Sequence, residues 1–202
     1  MRFLAKTLLA VSFFLISLGV WAQEGNRLDD SDLLARLSFE RSGMVQGGGV
    51  QHVCVAVSRD GDYRIVRSTD DGQTQRLHGQ MPKEQVQQLT KLLEAAEFRA
   101  LSGDHGGLIR QDVESFGAEI PGPLQKHADG TSSSLERDVW RLQWLNADGE
   151  SPFPGPVAKV VDWLQHFQPK GGKPFSYAEF QDVCPLRGLR LLQPTVAGNE
   201  HP

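Results

Sequence analysis

Cysteine is nearly missing from this chain: Cys54 and Cys184 are the only two in 202 residues. Two thiols exclude a cysteine-dense scaffold, and zinc sites want three or four ligands at set spacings. Basic clusters are missing too. The 21 Lys and Arg are dispersed among 25 Asp and Glu, for a net charge of −4. Phosphate backbones and anionic membranes are gripped by grouped cations, so neither is a predicted partner. Catalytic signatures are also lacking. The six histidines (His52, His78, His105, His127, His166, His201) form no His-Glu-x-x-His pair, and no Gly-x-Ser-x-Gly elbow occurs. No metal ligand, cofactor or catalytic residue is predicted.

One long apolar run is present, and it opens the chain. "MRFLAKTLLAVSFFLISLGVWAQ" has basic Arg2 and Lys6, then no charge from Thr7 to Trp21. Val20 and Ala22 fit the −3 and −1 positions of a cleavage site before Gln23. Residues 1–22 therefore read as a secretory signal, short of the roughly 20 apolar residues of a spanning helix. The expected location is the periplasm or the exterior, with no membrane contact after cleavage. Loss of Arg2 and Lys6 deepens the net charge to −6. In an exported protein the even cysteine pair predicts a Cys54–Cys184 disulfide. That bridge closes a long loop, worth about 4–5 kcal/mol in the chain-entropy model.

Periodicity organises the rest. "DSDLLAR" reads as a helical turn, and Leu37 and Phe39 alternate with polar neighbours in a short strand. Val53, Val55 and Val57 alternate with His52, Cys54 and Ala56, the period of a strand with one apolar face. "SRDGD" and "TDDGQ" are turns that separate the return strands "YRIVRS" and "TQRLH". "MPKEQVQQLTKLLEAAEF" is a helix with Val86, Leu89, Leu93 and Ala96 on one stripe. "VESFGAEI" and "VWRLQWL" are two further strands joined by a loop from Pro121 to Asp138. "GPVAKVVDWLQHF" is a second helix. "QPKGGKP" is a linker; Ser176 and Glu179 form a capping box, and "GLRLL" is a final extended piece. Short turns imply antiparallel pairing, and two amphipathic helices need one sheet face to cover. The predicted class is α+β: an antiparallel sheet with two helices on one face. The domain spans residues 34–167, and residues 168–202 form an extension tied back by the disulfide.

The stretch "SGMVQGGGVQ" is the candidate binding element. A phosphate loop needs Lys and Ser or Thr at a helix start after its glycines. Here Gly47, Gly48 and Gly49 run into a strand. The reading is an exposed loop between the first two strands, with Met44 and Val45 as apolar contacts at its tip. Ser68, Asp70, Gly72 and Thr74 match most of the turn of sialidase-like propellers, yet Asp-Asp-Gly is a hairpin turn by itself.

The order "LSFERSG", "MPKEQVQQLTKLLEAAEFRAL", "DVESFGAEI", "VWRLQWLNADG" and "VAKVVDWLQHF" is similar to a bacterial family of small exported domains of unknown function. It more loosely resembles the emfourin family of proteinaceous inhibitors of thermolysin-like metalloproteases. The likeness runs from Leu34 to Phe167 and implies a non-enzymatic protein-binding domain. Its partner would be a secreted or periplasmic protease or another envelope protein. Two other classes stay open. One is a hydrolase with a spatially assembled site drawn from residues such as Asp104, His105 and Ser42; the other is a structural envelope protein.

Overall fold

The computed structural model describes residues 32–42, 50–106, 112–123, 138–147 and 149–175. In chain order its elements are β1 (Leu33–Ser42), β2 (Val50–Ser58), β3 (Asp62–Thr69), β4 (Thr74–Gln80), α1 (Lys83–Glu94), α2 (Ala96–Arg99), β5 (Gly103–Gly106), β6 (Val113–Pro121), β7 (Val139–Ala147), α3 (Gly155–His166) and β8 (Lys173–Pro174). The strands form one sheet in the order β5-β7-β6-β1-β2-β3-β4-β8. Every neighbouring pair is antiparallel except β5 and β7. The class is α+β, as the periodicity predicts.

Strand alternation sends Leu37, Phe39, Val53, Val55, Val57, Ile65, Phe116 and Ala118 to one face, where all are buried. The helices cover that face. α1 contributes Leu89 and Leu93, one turn apart, and α3 contributes Val157, Val160, Val161 and Leu164. Each such side chain stabilises by roughly 1.5–3 kcal/mol through removal from water. Aromatic edges close the layer: Phe98 meets Phe116 at 6.4 Å, and Tyr63 meets Phe167 at 5.6 Å. Trp140 and Trp144 pack against the core on one side of β7.

Three expectations change. The "DSDLLAR" stretch is not a helical turn, because Leu33 and Ala35 already pair with Ser58 and Val57. Cross-strand pairing overrides the helix preference of Leu and Ala there. A bulge between Leu33 and Ala35 also turns Leu33 to the face away from the helices. The first long helix breaks at Ala95, whose extended ψ of 130° separates α1 from α2. The linker contributes β8, which pairs Lys173 and Pro174 with His78 and Leu77.

Gly61 shows why one turn needs glycine. Its φ is +98°, and a Cβ there would lie 2.9 Å from the Met81 carbonyl oxygen. Among the described residues no helix is long and apolar enough to cross a membrane.

Candidate functional site

The face away from the helices holds a second cluster of Leu33, Cys54, Ala56 and Val66, with Phe175 packed against it. Cys54 lies opposite the valine face, as the alternation predicts, and it is not a free cysteine. Its Sγ is 3.2 Å from His52 Nε2. Burial pushes the His52 imidazole below its ordinary value, and the nearby Glu40 carboxylate pulls the other way. Cys184 lies outside the described residues. So do Met44, Val45, Gly47, Gly48 and Gly49, the proposed binding loop.

The polar residues of the hydrolase reading are not brought together. Asp104 and His105 are on β5, at one end of the sheet, and Ser42 ends β1, three strands away. At about 4.8 Å per strand that is roughly 14 Å. His105 is occupied locally: its ring stacks on Trp144 at 4.7 Å, and Nε2 lies 3.2 Å from the Leu101 carbonyl oxygen. Among the described residues no group of three His, Cys, Asp or Glu side chains is placed to hold a metal ion.

A cleft of about 660 Å³ opens where the β3–β4 hairpin meets the chain leaving α3. Its floor is apolar, from Ile65, Leu77 and Phe167. Arg67 shares their side of the hairpin and lies at the base, only 8% exposed. Its Nη2 donates to the carbonyl oxygens of Leu164 at 3.0 Å and Phe167 at 2.8 Å. Those carbonyls end α3 and have no partner within the helix, so the guanidinium caps it. Burial lowers the Arg67 pKa from its usual value.

The rim is acidic and exposed, from Asp70 and Asp71 in the hairpin turn. The Thr69 hydroxyl donates to the Asp71 carboxylate, and the Gln73 amide does so at 3.2 Å; both hold its pKa below the ordinary carboxylate value. Gly72, at φ +76°, completes a plain hairpin turn, with its amide on the Thr69 carbonyl at 2.9 Å. The Ser68–Thr74 motif is therefore a turn of this sheet.

Beside the cleft runs the outer edge of β4. Among the described residues β8 pairs with Leu77 and His78 of β4, and Phe175 donates to the Arg76 carbonyl at 3.3 Å. An apolar floor under an acidic rim suits a polypeptide segment with an apolar and a basic side chain.

Sequence reading singled out Asp70 as part of a turn motif and passed over the other lining residues. The signal was present in "YRIVR", where Arg67 falls on the inward period with Tyr63 and Ile65. What it would meet there was not visible, since its partners are 97 and 100 residues away. No protein-family model matches this chain, and no curated protein matches it.

Proposed function

We propose that this chain is exported and acts as a non-enzymatic protein-binding domain, with thermolysin-like metalloproteases as its partner class. The observation that carries the reading is the cleft between the β3–β4 hairpin and the chain leaving α3. It offers an apolar floor and a negative rim. The emfourin-like order of segments from Leu34 to Phe167 supplies the protease. Periplasmic or extracellular location follows from the signal-like residues 1–22.

The Cys54–Cys184 bridge belongs to the same reading. Cys54 is buried, is not free, and shares a cluster with Phe175, nine residues before Cys184. Intact mass after alkylation tests it: protein alkylated without reductant should carry no label, and reduced protein should carry two. Labelling without reductant removes the bridge.

The functional test is a titration of a thermolysin-like metalloprotease with the purified protein, following cleavage of a small peptide. Stoichiometric inhibition with the added protein left intact is expected. Asp70→Lys on the cleft rim and Met44→Ala in the loop then locate the contact, since only the variant at the interface should weaken inhibition. Digestion of the protein, or undiminished protease activity, removes the protease from the reading.

A further inference from the structure

Away from the helices, cross-strand register assembles a row of basic side chains. Arg64 pairs with His78 across β3 and β4, and His78 pairs with Lys173 across β4 and β8. Residues directly opposite each other share a sheet face, with Cβ atoms about 4.5–5.5 Å apart. On its other side Arg64 pairs with Ala56, whose side chain carries no charge to offset it. The row borders a cavity of about 330 Å³, at the small end of ligand sites, which run from roughly 300 Å³ upward. Asp62 contributes a carboxylate to the lining, and Gly79 and Gly171 add no side chains.

Arg64 is the anomaly. It is 5% exposed. Other sheet arginines are engaged: Arg41 holds Glu114 at 2.8 Å, Arg141 holds Glu119 at 3.3 Å, and Arg67 holds two carbonyls. The Arg64 side chain makes no hydrogen bond or ion pair with any described residue, Asp62 included. None of its guanidinium nitrogens is sealed from solvent without a partner, so the group stays open to the cavity, and basic residues set opposite one another repel. That repulsion falls when an anion sits among them. Arg64 and Lys173 against Asp62 leave the cavity with a net positive charge, before any proton on His78.

We propose that Arg64, His78 and Lys173 form a binding site for a small oxyanion, a carboxylate or phosphate group. The Arg64 guanidinium supplies paired donors matched to two oxygens, and Lys173 closes the outer side as a mobile point charge. The site lies apart from the cleft on the helix side and does not depend on the protease reading.

The test is an NMR titration of the full-length mature protein, following the Arg64 side-chain Nε–H resonance. Inorganic phosphate and sodium acetate are added separately at constant ionic strength, with chloride as reference. A saturable shift in the millimolar range is expected with at least one of them. Phosphate alone assigns a phosphoryl group, and acetate assigns a carboxylate. Lys173→Gln, at an exposed position, should weaken binding about tenfold, the worth of one charge-assisted hydrogen bond. Arg64→Met should abolish the response, read from the backbone amides of His78 and Lys173. Shifts that follow ionic strength alone, or a response that survives Arg64→Met, overturn the site. If Arg64→Met does not fold, the wild-type and Lys173→Gln titrations decide, and unchanged affinity in Lys173→Gln overturns it.

Discussion

The two faces of the sheet are built from the same strands and solve burial differently. Under the helices the inward positions are mostly large and apolar, and the buried guanidinium of Arg67, at the end of that face, is satisfied by carbonyls. The other face buries Leu33 and Val66 together with small or polar side chains: Ser38, Cys54, Ala56, Arg64 and Ser115. A helix-covered face can be made of hydrocarbon because its cover is made of hydrocarbon. A face that keeps Arg64 and Ser115 in place of valine gives up transfer energy and retains hydrogen-bonding capacity. Retained capacity of that kind marks the side on which recognition chemistry is affordable.

Neighbouring residues on β6 give the sharpest contrast. Phe116→Ala should cost about 3–5 kcal/mol in urea unfolding, because the ring is fully buried against Phe98 and leaves a cavity. Ser115→Ala, one residue away on the other face, should stay within about 1 kcal/mol. Equal losses would mean that the two faces are packed alike.

The two buried arginines of β3 come next. Arg67→Met removes the cap from the Leu164 and Phe167 carbonyls and should lower stability by about 3 kcal/mol. Arg64→Met removes no such partner and should cost nothing in the anion-free protein. A reversed order would move the structural role to Arg64 and dissolve the contrast.

The smallest effect concerns His52. Burial holds its folded-state pKa below the ordinary value, so the unfolded chain takes the proton first as pH falls below about 6.5. The stability tied to neutral His52 is complete above that pH and is lost as pH falls toward the folded-state value. His52→Gln should flatten the stability profile from neutral to mildly acidic pH, measured by urea midpoints at a series of pH values. An unchanged slope would assign the acid sensitivity to other groups.

Much of the helix-side layer was legible in the sequence. The valines of β2, Phe116-Ala118-Ile120 of β6 and the α3 stripe each carry the period of their element, and burial follows period. β5 was not legible, because "GDHG" has no apolar alternation and is held by parallel pairing to β7. The break at Ala95 has no glycine or proline to announce it. The cleft was hidden for a different reason. Its floor joins residues 65, 77 and 167, and nothing local relates a hairpin to a helix end a hundred residues on. Arg64 was legible as a strand residue, and its isolation was not, since lacking a partner is a property of the whole fold.

The place of β1 has a kinetic consequence. It lies between β2, which follows at once, and β6, whose Glu114 reaches Arg41 across a sequence separation of 73 residues. While the chain emerges, β1 to β4 can zip together as a local meander, yet one edge of the central strand stays open until β6 arrives. Non-local closure of that kind is slow, and an open apolar edge is the surface on which nascent chains stick to one another. Half of the sheet therefore cannot lock until β6, more than seventy residues after β1, has followed.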